Sequence, residues 1–399
     1  MKKDTTPTIL MVFAGITLLG FLPTLFNFRE GKFFVGEWMM IAFVSMFFIK
    51  NMWLRLFMVW ALSRHIFGFF EIGTVSISAQ IKYFKLSYCT LNTLFMYVVA
   101  YQLFANTVKR SHTKHILNGI CIITLVHCLF ILLQFCGVWI FVQPRVGMNV
   151  VKGYFDNLII IADPFNIIGK RAHLYTGLLD NTNMTSSLLL LGLPAFFRKK
   201  WVWLVPIVAA CLILAKSMGG IIPATVITVV FLIFKLKRKH MDKAILACSF
   251  VIIAVALYVY TCDDFGVFMS GSGRFKAWTM CLNDPILQRW VEGWGLGQYK
   301  IAFNVISNTI YGNVGLPMVA HNAYIQTLFE LGTIGLFLAL GFVISLFRNI
   351  VKSGNEYRLI IAIGVIAALL NAGVNFLFHT TVAWLALVYF ALLQTQTKE

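Results

Sequence analysis

Charge is what this sequence has least of. Aspartate and glutamate number 15 among 399 residues, and all charged residues together make up 12%, about half of the roughly 25% usual in a soluble globular domain. With 59% hydrophobic residues and a mean hydropathy of +0.82, a soluble fold is excluded. The sequence has no DxD, no acidic pair at metal-ligand spacing and no Walker loop. Metal-dependent phosphoryl chemistry and ATP hydrolysis are therefore poorly supported, and no cofactor is expected. The eight cysteines include no C-x-x-C and no metal-ligand spacing. Most lie inside apolar runs, where cysteine behaves as a small hydrophobe. Cys262 and Cys281 share one polar segment, which leaves a disulfide between them open. No internal repeat, heptad array or low-complexity linker occurs.

What the sequence does have is apolar runs near 20 residues, recurring along the chain. At about 1.5 Å per residue each can cross about 30 Å of hydrocarbon. No water is available there to satisfy backbone groups, so the runs must be helices. The expectation is an all-α integral membrane protein, one polytopic domain over residues 1–399, with about twelve transmembrane helices. They fall at 8–28, 33–49, 52–70, 86–106, 116–142, 184–197, 201–215, 219–234, 244–261, 323–347, 359–378 and 380–394. The first run follows Lys2-Lys3 without a small-residue cleavage site, so it reads as a retained span.

The formal charge of +18 lies mostly in short gaps between these runs rather than on one folded surface, which disfavours nucleic acid. Lys109-Arg110 with Lys114, Arg198 to Lys200, Lys235 to Lys243, and Arg348 to Arg358 all fall on the same side as both termini in this count. That side is expected to be the cytoplasm. The opposite side receives two long loops, 143–183 and 262–322, and loops of that length persist where they have a function.

The 262–322 loop carries most of the candidate chemistry. After Ser270-Gly-Ser-Gly, the residues Phe275, Trp278 and Leu282 recur at helical spacing, with Arg274 and Lys276 to the other side. That pattern predicts a short interfacial helix, apolar face down, ended by Asn283-Asp-Pro285. Trp290 and Trp294 suit an aromatic belt. Arg274 reads as a lipid-headgroup contact or as a phosphate ligand, for which a guanidinium offers two parallel donors and a permanent charge. His321 stands where the loop meets the 323–347 run and can accept a proton near neutrality. Asn322 is placed to orient that ring or to cap the helix. In the earlier loop, Lys170-Arg171 precedes Gly177-Leu-Leu-Asp180-Asn181-Thr-Asn183, which reads as a turn and cap or as the polar rim of a cavity. Lys216 lies in a tight turn on the outer side in this count, and Arg64-His65 falls inside the 52–70 run, where an ionisable residue is a functional candidate by default. Arg171, Lys216, Arg274 and His321 thus converge on one face, an arrangement suited to a diphosphate.

These residues resemble a known family. His321-Asn322, nine residues, then Gly332-Thr-Ile-Gly335 is similar to the H-N-x9-G-x-x-G signature of bacterial O-antigen ligases and their polymerase relatives. Gly273-Arg274-Phe-Lys-Ala-Trp278 and Gly293-Trp-Gly-Leu-Gly297 resemble the rest of that domain, and Gly177 with Asn181 and Asn183 resembles its G-x-x-x-N-x-N element. The resemblance implies a metal-independent, inverting glycosyltransferase of the bacterial inner membrane with its site facing the periplasm. Its donor would be an undecaprenyl-diphosphate-linked glycan and its acceptor the lipid A-core. Arg274 would hold the diphosphate and His321 would take the proton of the acceptor hydroxyl or orient that hydroxyl, with Arg171, Lys216, Asn181, Asn183 and Asn322 lining the substrate. One departure stands out. The family often has Ser/Thr-Arg-Gly after the seventh span, where this chain has Ser217-Met218-Gly219, so Lys216 or Arg171 would have to supply that charge. The nearest rival function is an O-antigen or capsule polymerase extending a second lipid-linked glycan. A lipid-linked glycan transporter or flippase would instead place its site near the midplane, often with repeat symmetry, which this sequence does not show.

Overall fold

The computed structural model describes residues 49–71, 90–91, 94–95, 97–141, 159–162, 175–179, 182–235, 274–283, 289–299, 303, 320–348, 356–375 and 382–395. The expected spans 8–28 and 244–261, nearly all of 33–49, and part of 86–106 lie outside these residues. The same is true of Arg171 and Asn181. Among the described residues, helices dominate. They are α1 (Met52–Glu71), α2 (Thr113–Phe135), α3 (Thr182–Phe196), α4 (Val205–Leu214), α5 (Met218–Lys235), α6 (Arg274–Asn283), α7 (Ala323–Phe347), α8 (Glu356–Ala372) and α9 (Ala383–Thr395), with residues 97–107 also helical.

Hydrophobicity sorts these helices into layers. Helix α9, and α3 beyond its polar first turns, are apolar all round, and both are almost wholly buried, from Thr185 to Phe196 and over most of Ala383 to Thr395, as interior helices must be. The others face outward with bare hydrocarbon. Ile122, Val126 and Leu129 on α2, Ile222, Val226 and Phe234 on α5, and Phe337, Leu340 and Ile344 on α7 are all exposed. Patches of this extent are unusual on a soluble surface, and they give the molecule an apolar girdle. Residues 110–135 and helix α7 are each long and apolar enough to cross a membrane, and shorter apolar helices pack beside them.

The helix ends segregate by chemistry. At one end Arg198, where α3 stops, donates from Nε to the Ala195 carbonyl (2.8 Å) and from Nη1 to Asn118 Oδ1 (2.8 Å) at the start of α2. Asn51, ahead of α1, donates to Ser345 Oγ near the end of α7 (2.8 Å), so α1 and α7 run antiparallel. At the other end the last turn of α2 grips the 175–179 turn. Gln134 Oε1 accepts from the Thr176 and Gly177 amides (3.0 and 2.9 Å), and its Nε2 donates to the Gly177 carbonyl (2.7 Å).

The expected run 116–142 differs in its last third. The helix closes at Phe135, and Val138–Phe141 pairs antiparallel with Ile159–Ala162, with Val138 opposite Ala162 and Phe141 opposite Ile159. Gly137 at φ +87° turns the chain out of the helix, and β-branched and aromatic residues on both strands favour pairing over a further helical turn. An all-helical reading counted these residues only by hydropathy, which does not separate the two.

Candidate active site

Helix α7 is built around a break. Gly332 sits at φ +68°, ψ −171° in the middle of it. In a continuous helix the Thr333 amide would bond to the Phe329 carbonyl; here it donates to the Trp290 carbonyl instead (2.6 Å). The carbonyls left over are all taken. Phe329 and Glu330 accept from the amides of Trp294 and Gly295 (both 2.8 Å), and Leu331 accepts from Trp60 Nε1 on α1 (2.8 Å). Exposed to hydrocarbon, each such group would cost several kcal/mol, so the 290–299 loop is what makes the break tolerable. The loop can reach in because Gly293, Gly295 and Gly297 all adopt positive φ. The contact is close enough that a Cβ at Gly332 would lie 2.0 Å from the Val291 carbonyl oxygen. The two glycine motifs seen in the sequence are therefore two sides of one joint.

Helix α6 packs onto that joint. Its Ala277 and Cys281 are buried in a small second core with Tyr299, Phe303, Ala320 and Phe329. Tyr299 stacks on Phe303 at 5.0 Å and meets Phe329 edge-on at 5.2 Å. The helix forms as the spacing predicted, but it lies against protein on its Ala277 and Cys281 face. Trp294 is likewise part of the packing, stacked near Phe329 and capped by the Arg289 guanidinium 4.3 Å from its ring centre, while Trp290 is exposed. Cys281 is a free thiol bonded to the Tyr299 hydroxyl (3.9 Å), and burial pushes it up to about 12. It is therefore protonated at neutral pH; Cys262 lies outside the described residues.

Arg274 opens α6, and one helical turn later Trp278 donates its Nε1 hydrogen to the Ala320 carbonyl (2.5 Å), the residue before His321. This bond ties the start of α6 to the entry of α7 and sets Arg274 against His321. The His321 imidazole is lowered to about 4, by burial first and then by the Arg274 charge, and burial lowers Arg274 as well. At neutral pH the pair is a neutral imidazole beside a guanidinium. His321 itself is held at φ +51°, a left-handed geometry that costs a β-carbon-bearing residue about 1–2 kcal/mol. Asn322 then caps α7, its Oδ1 accepting from the Tyr324 and Ile325 amides (3.0 and 3.1 Å).

A second polar group lies at the starts of α3 and α5. Asn183 Oδ1 accepts from Ser217 Oγ (2.9 Å), Ser187 Oγ donates to Asn371 Oδ1 (2.9 Å), and Asn371 Nδ2 reaches the Gly219 carbonyl (3.5 Å). Lys216 occupies the turn just before Ser217, exposed and at φ +49°. The two groups are joined through α8, because Tyr324 in the first turn of α7 donates to the Leu369 carbonyl (2.7 Å), two residues from Asn371. Of the candidates read from the sequence, Arg274, His321 and Asn322 stand together. Asn183 and Lys216 belong to the neighbouring group at the same end of the bundle.

Two participants, Glu330 and Trp60, are not among the candidates read from the sequence, and a third, Arg64, is. Glu330 is buried in α7 and accepts from the Gly297 and Tyr299 amides (2.8 and 3.2 Å) and from Gln326 Nε2 (3.0 Å). Arg64 on α1, flagged only as an intramembrane ionisable residue, donates to the Gly293 carbonyl (2.8 Å). Trp60 closes the break. Glu330 did carry a signal, as the one charged residue in the 25-residue α7.

Residues 203–340 match the family model described as O-antigen ligase. The match takes in Lys216, Arg274, His321, Asn322 and both halves of the glycine joint, and stops short of Asn183. It supports the O-antigen ligase superfamily, and with it an enzyme of the ligase or polymerase type working on lipid-linked glycans in a membrane. A search of curated proteins gives no match.

Proposed function

Starting from the match to the O-antigen ligase model, we propose that this chain is an O-antigen ligase. It would take a finished polysaccharide from undecaprenyl diphosphate and join it to a sugar of the lipid A-core. The observation that carries the reading is the pairing of Arg274 with His321 at the mouth of the broken helix. Glycosyl transfer from a lipid diphosphate develops negative charge on the leaving diphosphate and requires the acceptor hydroxyl to lose its proton. Arg274 supplies a fixed cation with a two-pronged donor for that charge. His321, neutral at physiological pH, has a nitrogen able to orient and then accept the proton. A diphosphate on Arg274 offsets the charge that lowers His321, so the donor makes its own base stronger. Asn183 and Lys216 line the neighbouring part of the rim, where Lys216 gives a point charge rather than a fork.

The segregation of Lys109, Arg110, Arg198, Lys199 and Lys200 to the opposite helix ends supports a multi-pass inner-membrane topology with about twelve spans and cytoplasmic termini. The reacting face would then be periplasmic. The nearest rival is a polymerase, which uses the same donor chemistry. A deletion strain separates the readings. Polysaccharide accumulating on undecaprenyl diphosphate above an unmodified core is the expected result. Single repeat units capping the core would mean a polymerase, and normal lipopolysaccharide would sink both. A flippase is answered by the same purified protein in a sealed bilayer, which should join donor to acceptor without moving lipid across.

A further inference from the structure

The geometry points to Glu330 as a positioning residue. We propose that its carboxylate, by accepting the Gly297 and Tyr299 amide hydrogens inside the break of α7, keeps the Arg274 guanidinium beside the His321 imidazole. This rests on the reading above, in which that pair performs the transfer.

The connection can be followed bond by bond. Glu330 Oε2 accepts from Gly297 and Oε1 from Tyr299, with Gln326 Nε2 adding a third donor. Gly297 and Tyr299 are the end of the loop that feeds Trp294 and Gly295 into the same break. Tyr299 is wholly buried and forms the floor on which α6 rests, through Ala277 and Cys281. Helix α6 then presents Arg274 at its first residue and fastens Trp278 to Ala320 next to His321. Glu330 touches neither reacting group, yet each element between them bears on the one before.

A carboxylate is the side chain this position requires. Both of its oxygens receive a backbone N–H, and a glutamine would turn its own amide hydrogens toward one of those donors. A buried acid in an apolar helix is tolerated only when donors converge on it, and here three do. The same loop also receives Arg64 at the Gly293 carbonyl, so side chains from two helices hold the loop at two points. A merely structural acid would hold the fold; a positioning acid also sets how strongly Arg274 acts on His321.

The test uses the full chain purified and reconstituted in lipid bilayers, comparing wild type with Glu330→Gln and Glu330→Ala. The first readout is the rate at which diethyl pyrocarbonate modifies the His321 peptide, followed by mass spectrometry against pH. That reagent attacks only the unprotonated ring, so the midpoint reports the imidazole without any turnover. The second readout is transfer from glycolipid extracted from a strain deleted for this chain. In Glu330→Gln the midpoint should climb above about 4 as Arg274 draws away, and should stay below the ordinary value near 6.5 because burial, the larger cause, remains. The transfer kcat should drop by about 10-fold to 100-fold, as expected for a reacting pair displaced by about 1 Å, with an unchanged melting temperature. Glu330→Ala should show the same changes in larger measure; if it fails to accumulate, the isosteric Glu330→Gln decides. An unmoved midpoint in folded Glu330→Gln overturns the proposal, whether or not transfer falls. A midpoint that moves while even the wild type transfers no glycan upholds the positioning role and removes the enzymatic reading instead.

Discussion

Arg198 and Arg274 are both arginines at the rim of an apolar bundle, and their surroundings are opposite. Arg198 is buried where α3 ends, its guanidinium directed at the Ala195 carbonyl, Asn118 Oδ1 and, more distantly, the Lys114 carbonyl at 3.5 Å. Those are neutral oxygen acceptors, and with Cys121 Sγ (3.3 Å) they satisfy the N–H groups of the guanidinium. Arg274 is half-buried at the first residue of α6 and is set against an imidazole that burial first, and then its charge, lowers to about 4. An imidazole cannot neutralise a cation; it can only stay unprotonated beside it. The first arrangement is complete as it stands. The second sets a cation beside a neutral imidazole at the entry of α7, and this difference in neighbours is what the comparison of the two arginines turns on.

The comparison is broken most directly at the imidazole. His321→Ala should lower transfer by about 100-fold or more, the usual worth of a positioned base, with the protein still accumulating in the membrane; near-normal transfer would remove the base. Arg274→Lys should follow with a loss on the order of 10-fold, because it keeps charge and gives up the two-pronged contact. Full activity in that variant would argue against bidentate phosphate binding. Arg198→Met should behave in the opposite way. It takes a donor from the Ala195 and Lys114 carbonyls and one of two from Asn118 Oδ1, which keeps Trp201 Nε1, so unfolding in denaturant should show a loss of about 1–3 kcal/mol, while transfer per folded molecule stays at the wild-type level. A fall in specific transfer would erase the distinction drawn between the two arginines.

The subtlest test is pH. Because His321 titrates in the native protein well below the ordinary 6.5, the unfolded chain binds its proton first. Its contribution to stability is complete above about pH 6.5 and is lost as pH falls toward about 4. The same group should set the acid limb of kcat/KM near 4, since that ratio reports the free enzyme. The limb of kcat reports the substrate complex, and it should lie higher, because a bound diphosphate offsets Arg274. Coincident limbs would mean that no anion sits between the donor site and the imidazole.

Much of this was legible before any fold was known. Residues 323–347 were delimited correctly because the apolar run begins at an asparagine cap and ends at Arg348. Helix α6 was legible because Phe275, Trp278 and Leu282 repeat at helical spacing after a Gly-Ser-Gly start. The strand at Val138–Phe141 was not, since its residues are apolar like the helix before them and its partner is 21 positions away at Ile159 to Ala162. Glu330 was passed over because its three donors come from Gly297, Tyr299 and Gln326, two of them on another segment. Arg64 reads as a functional candidate from its place in an apolar run, but its acceptor is 229 residues distant.

By itself the sequence determined the medium and the chemistry available. Hydropathy excludes water as the solvent of most of this chain, and a guanidinium and an imidazole carry their properties wherever they stand. It also determined the positions of the glycines, since no β-carbon can be fitted at Gly332 against the Val291 carbonyl. Only the tertiary structure decided which cation meets which base. That choice depends on a helix broken at one residue, whose stranded carbonyls must be satisfied by a loop from elsewhere. Backbone hydrogen bonds between distant segments leave no mark on local composition, and it is these bonds that bring Arg274 to His321.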